Sequence, residues 1–335
     1  MSSMTMLSKT MLIPVLIVLS ILSVIAACLL GSTAIGIDRV LAALIGQGST
    51  GDTLVIWQIR LPRALAAYTV GMALGMSGAA LQGLLRNPLA EPGVLGVSAT
   101  ASLAATFTIY YGLSVLSPLL LPISAILGAL AATSILALAA TRSQSVVTLI
   151  LIGVGISSFS GAAMSFMLNM APNPFSIADM INWMLGSVAN RSFDDLALSL
   201  PFMLVGMLIL LLKRRGLSAL TLGDEAASGL GLNLKHQRIY TVLGAGLATG
   251  AAVSIAGAIG FVGIVAPHII RPFVNYDPAR SLIPSALLAG LFLTIADILI
   301  RILPTHNELK LGVVAALIGA PAFIWIAMQR QAENG

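Results

Sequence analysis

Charge is what this chain lacks. Only 9% of its 335 residues are Asp, Glu, Lys or Arg, against 58% that are hydrophobic, whereas a soluble domain carries roughly 25% charged residues. With a mean hydropathy of +1.01 there is no polar shell to present to water, so the composition is that of a polytopic membrane protein. The formal balance of +5 then reflects topogenic Lys and Arg in cytoplasmic loops rather than a nucleic acid partner. A single cysteine, Cys28, excludes an internal disulfide and any cysteine-based metal cluster. The three histidines, His236, His268 and His306, are too scattered to suggest a metal site and read as structural. No Gly-Lys pair occurs anywhere, so the chain has no P-loop and any ATP-driven work must come from a partner.

What is present is a series of charge-free runs: 11–37, 64–85, 92–141, 143–178, 196–212, 239–270, 281–296 and 311–329. About 20 apolar residues span the hydrocarbon core, so two of these are too long for one crossing. Tyr110-Tyr-Gly112 and Pro118 to Pro122 split the third into two helices, and Gly257 to Gly263 divides 239–270 into a full helix and a short one. The total is ten. Lys9 followed by an apolar stretch and Ile25-Ala-Ala-Cys28 also resembles a lipoprotein signal, but the run continues to Ile37, and a retained first helix is the simpler account.

Both termini placed in the cytoplasm put Lys9, Arg86, Arg142, Lys213 to Arg215, Lys235, Arg238, Arg271, Arg280 and Arg330 inside. Only Arg39, Arg60, Arg63, Arg191, Arg301 and Lys310 fall outside, which favours this orientation over its inverse. Gly71 with Gly75 and Gly246 with Gly250 have the spacing that lets helices approach closely in a compact bundle.

Few residues could carry chemistry. Asp297 is the only acid embedded in an apolar helix, and an intramembrane carboxylate suggests a proton or ion relay. The plainer account is support, because Arg301 lies four residues on, across the same helical face. Arg60, Arg63 and Arg301 sit against the positive-inside tendency; interfacial snorkelling and docking of an acidic external partner both explain them. On the cytoplasmic side, residues 220–231 read as a short helix with Thr221 as cap, Asp224 and Glu225 in the first turn and glycine at its end. That helix is either a plain surface element or a knob seated in a partner.

Arg60-Leu-Pro-Arg63, Gln82 with Arg86-Asn-Pro-Leu-Ala-Glu-Pro-Gly-Val-Leu-Gly96, Trp183-Met-Leu-Gly186, Gly223 to Gly231, Gly257 to Arg271, Ala296-Asp297 and Ile318 to Phe323 occur in order along the chain. This pattern resembles the BtuC/FecCD-type permease family of ABC importers for iron-siderophores, haem and cobalamin. The resemblance implies an all-α fold of ten transmembrane helices, with residues 1–335 forming one permease domain and 213–238 a cytoplasmic coupling segment. It implies two permease subunits, identical or paralogous, two cytoplasmic ATPases and a periplasmic binding protein, in a bacterial inner membrane. ATP and Mg belong to the partner ATPase, and no cofactor is bound by this chain.

The resemblance also carries roles. Arg60, Arg63 and Arg301 match positions that engage acidic residues of the binding protein. Gly223, Asp224, Glu225, Ala226, Ala227, Leu230 and Gly231 match the element that seats on the ATPase. Leu89 matches a cytoplasmic gate, whose other half corresponds to Ser145, Val146 and Val147; some relatives have small hydroxylated residues there, and this chain departs from them. Lys310 replaces a proline found in many members. The implied cargo is an iron chelate, with cobalamin or haem as alternatives. A secondary carrier would need paired intramembrane carboxylates, and an enzyme would need converging catalytic groups; neither pattern occurs.

Overall fold

The computed structural model describes residues 2–31, 35–142, 145–303 and 308–321, and every regular element among them is helical. Ten apolar helices among the described residues form the body: α1 (Ser2–Leu29), α2 (Leu61–Leu85), α3 (Val97–Tyr110), α4 (Leu120–Arg142), α5 (Val146–Asn169), α6 (Phe193–Leu212), α7 (Leu234–Ala256), α8 (Val262–Ile270), α9 (Pro278–Ile302) and α10 (Leu311–Pro321). All but α3, α8 and α10 are long and apolar enough to cross a membrane. The count agrees with the reading of the charge-free runs, and His306 and Arg330 lie outside the described residues.

α2 and α9 run antiparallel at the centre. At one end Gly83 meets Pro278, near the start of α9, and at the other Arg63 meets Asp297, near its finish. Along α2 these two contacts are 20 residues, about 30 Å, apart. Gly71 and Gly75 have no room for a Cβ, because the backbone and small side chains of Ser285, Ala289 and Gly290 already occupy it. Gly246 and Gly250 on α7 are likewise pressed onto Thr133 and Ala129 of α4. Dispersion contacts of this kind hold helices together where lipid is as apolar as the interface.

The break between α7 and α8 falls at Gly257 to Phe261, with both of these residues at φ +68. Ala258 and Trp183 carbonyls crowd Gly186, Gly257 and Gly312 so closely that three chain segments meet backbone to backbone. The Ser187 and Gly312 amides complete the junction, donating to the Ala256 and Gly186 carbonyls at 2.7 and 3.1 Å.

Three local readings change. The first run does not form one helix to Ile37: α1 ends at Leu29, and Ile37–Leu44 forms a separate amphipathic helix. Run 143–178 breaks after Asn169, where Asn173 caps a further helix, Pro174–Leu185. Thr221 is not the N-cap of Asp224–Gly229, a place Gly223 takes; it is the C-cap of Arg214–Leu220, its hydroxyl donating back to the Ser218 carbonyl at 2.6 Å.

Candidate functional site: two ion-pair clusters and a loop

At the Asp297 end, three arginines gather and two of them hold one carboxylate. Arg63 donates from Nε and Nη2 to Asp297 Oδ1 at 2.9 and 2.8 Å, and Arg301 Nε lies 3.1 Å from Oδ2. Arg63 also pairs with Glu308, on the segment leading into α10. Arg60 takes a different role. A π-helical turn, Val55–Arg60, precedes α2 and turns its guanidinium onto the end of α1, where Nη1 donates to the Cys28 and Leu29 carbonyls at 2.8 and 2.9 Å. Arg301 Nη1 donates to Ala27 at 2.9 Å. Two cations therefore satisfy carbonyls that a helix C-terminus leaves unpaired and that its dipole makes negative. This also explains why α1 stops at Leu29. All three arginines are largely buried, with Arg60 only 3% exposed.

Beside them, Arg39 and Asp52 pair at 2.6 Å across the two short helices before α2. The Trp57 indole donates to Ala43 at 3.1 Å and fixes the same fold.

At the opposite end, the segment between α6 and α7 forms two short helices, Arg214–Leu220 and Asp224–Gly229. Leu217, Leu220 and Ala227 anchor it in the core, while Glu225, Ala226, Leu222 and Leu230 face outward. Asp224 is held twice: by Arg238 of α7 at 2.6 Å and by Arg86, just past α2, at 3.1 Å. The Gln237 amide donates to the Lys213 carbonyl at 3.0 Å, and Ser218 donates to Asp277, the N-cap of α9, at 2.5 Å. The segment is thus tied to α7, α9 and the loop after α2.

That loop, residues 86–96, is a chain of tight turns. Arg86 sits at φ 50; Asn87 accepts the Leu89 amide at 2.9 Å; the Val94 and Gly96 amides bond back three residues at 3.1 Å. Leu89 stands 49% exposed between Pro88 and buried Ala90. The loop's far end lines a cavity of about 290 Å³ with Ser98, Ser102, Met164, Ile259 and Gly263. Glu91 there accepts the Phe261 amide at 3.3 Å, at the N-terminus of α8. Ser145 caps α5 by accepting the Thr148 amide, Val146 packs on the core, and Val147 is exposed.

The structure brings together residues far apart in sequence: Arg63 with Asp297, and Arg86 with Asp224. Sequence reasoning named Arg60, Arg63, Arg301 and Asp297 but missed Glu308, Arg86, Arg238 and Glu91 as their partners and counterparts. The available signal was charge scarcity itself, since a cation beside an apolar run needs a carboxylate somewhere.

Comparison with known proteins agrees with this architecture. A solved chain from a transporter assigned to the metal-chelate ABC type, in an inward-facing conformation, superposes with a TM-score of 0.85 at 27% identity, covering 95% of this chain and 98% of its own. The iron(3+)-hydroxamate import permease FhuG of Bacillus subtilis is 35% identical, covering 90% of this chain and 91% of its own. The vitamin B12 import permease BtuC of Klebsiella pneumoniae is 39% identical, covering 85% and 86%. The model of the FecCD transport family matches residues 15–329, and the chain belongs to that family.

Proposed function

We propose that this chain is the membrane-spanning permease of a binding-protein-dependent ABC importer that moves an iron chelate, such as a ferric siderophore, across a bacterial inner membrane. The observation that carries it is the Asp224–Gly229 helix, braced from three sides yet flanked by Leu222 and Leu230 at 65% and 69% exposure. A rigid knob with bare leucines beside it suits the groove of a cytoplasmic ATPase, which supplies ATP and Mg. Gly223 and Gly231, at φ 97 and 86, set the turns on either side of the knob, as few other residues would.

At the other end, Arg60, Arg63 and Arg301 form the seat for an acidic lobe of a periplasmic binding protein. Arg63 is the exchangeable member, because its second partner, Glu308, is 42% exposed and an incoming carboxylate can take its place. Arg60 and Arg301 keep the seat in place through the end of α1. The substrate path runs between two permease copies along α5. The exposed face of that helix sets small or polar residues, Gly155, Ser158, Ala162, Ser165 and Asn169, among large apolar ones such as Leu151, Phe159 and Phe166. Leu89 and Ser145 to Val147 gate the path at the ATPase end. ATP shifts the access state only by binding one conformation better than the other.

An iron chelate is the first reading because FhuG is an iron(3+)-hydroxamate import permease and the solved chain is of the metal-chelate type. Cobalamin is the second reading, from the 39% identity to BtuC. The test is ATP-dependent uptake of ferric siderophores, haem and cobalamin into proteoliposomes holding this chain, its ATPase and its binding protein. Uptake of an iron chelate alone, lost in Arg63→Glu, is expected; uptake without ATP or binding protein would refute the class.

A further inference from the structure

The loop after α2 touches both the candidate ATPase seat and the break in the membrane body. We propose that residues 86–93 are a strap that carries the position of the Asp224–Gly229 helix to the α7–α8 break, with Arg86 and Glu91 as its two positioning residues. This rests on the reading of that helix as the ATPase seat.

Three features support it. The first is anchorage at both ends: Arg86 Nη2 to Asp224 Oδ1 at 3.1 Å, and the Phe261 amide to Glu91 Oε2 at 3.3 Å. Gln82, at the end of α2, reinforces the far anchor by donating to the Gly263 carbonyl at 3.3 Å, and Pro92 lies against Gly263. The second is stiffness. Pro88 and Pro92 fix two φ angles, the Asn87 side chain closes an Asx turn, and the Ser157 hydroxyl of α5 holds the Gly93 carbonyl at 3.1 Å. A stiff segment transmits a displacement that a floppy one would absorb. The third is the unequal hold on Asp224. Arg238 is 2% exposed and grips it at 2.6 Å, so the carboxylate moves with α7, whereas Arg86 is 43% exposed at 3.1 Å. The strap's inner contact is therefore the one that water and a docked partner can exchange.

A consequence follows for the transported molecule. Leu89 rides at the middle of the strap, and Glu91, Pro92 and Gly93 form one wall of the 290 Å³ cavity. Movement of the seat would then reshape the cavity and the position of Leu89 together.

The experiment has two arms. In the purified permease in nanodiscs, amide hydrogen exchange over residues 89–94 is compared between the parent, Arg86→Gln and Arg86→Lys. Exchange about three- to five-fold faster in Arg86→Gln, with Arg86→Lys near the parent, is expected for a strap freed at one end; equal exchange in all three overturns the anchor. In proteoliposomes with the ATPase and binding protein, cargo moved per ATP hydrolysed is measured for Arg86→Gln and Glu91→Ala. A fall of about five-fold or more in each, the smallest effect of an ordinary coupling free energy, supports transmission. A ratio within about two-fold of the parent overturns it. Leu230→Glu separates the underlying reading: it should abolish ATPase co-purification, which Arg86→Gln should leave intact. ATPase retained by Leu230→Glu would remove the seat, and with it the strap's source of movement.

Discussion

Two aspartates in this molecule do the same chemistry in opposite settings. Asp297 and Asp224 are each held by two arginines from separate parts of the chain, at opposite ends of the bundle. Asp297 is 1% exposed and Asp224 33%. At low exposure the ions have no water to return to, so losing one partner leaves an uncompensated charge and the cluster behaves as a fixed brace. At higher exposure each partner can be traded for water at little cost, and the cluster behaves as a contact that can be made and broken. The number of arginines does not separate the two; access to water does.

The sharpest way to break this comparison is at Asp297. Asp297→Ala leaves Arg63 and Arg301 facing each other without their shared carboxylate, and the expected loss is roughly 3–5 kcal/mol. Thermal unfolding of the detergent-solubilised protein checks it. A variant as stable as the parent would mean that water reaches Asp297 and that the two clusters are alike. Next comes Arg60→Ala. It strips two donors from the Cys28 and Leu29 carbonyls at the end of α1, and unpaired buried acceptors cost about 1–3 kcal/mol. The same unfolding measurement applies, with faster amide exchange expected in the last turn of α1. Smaller again is Arg238→Gln, which removes one charged hydrogen bond from an aspartate that water can still reach, for about 1–2 kcal/mol.

These ranks also show how far the sequence could be read. The helices were legible because in a membrane every one must satisfy its own backbone within an apolar run, and the runs are bounded by visible charges. The α7–α8 break was legible from its glycines. Hidden from it was the early end of α1, because the run stays apolar to Ile37 and the residue that ends the helix, Arg60, is 31 positions away from the carbonyl it binds. The helix Pro174–Leu185 was within reach, since Asn173-Pro174 is a cap followed by a favoured first residue. The candidate site was half legible. Asp297 and Arg301 announce themselves by i,i+4 spacing, but Arg63 lies 234 residues from Asp297, and Arg86 lies 138 from Asp224. No periodicity links such distances; only the antiparallel packing of α2 on α9, and of the connecting segment on α7, brings them together.

The smallest expected effect on stability falls on Arg86, and it is the most informative for that reason. Arg86→Gln should cost no more than about 1 kcal/mol, because the pair it breaks is exposed and Asp224 keeps Arg238. The Arg86 contribution should also fade as salt rises from about 0.1 to 1 M, where the screening length shrinks from about 10 to 3 Å. Asp297, shielded from solvent, should show no such dependence. Unfolding of Arg86→Gln and Asp297→Ala against their parent at both salt concentrations measures the contrast directly. If salt erodes both contributions equally, exposure does not divide the clusters; if it erodes only that of Arg86, the end proposed to seat the ATPase is the one whose ion pair yields to its surroundings.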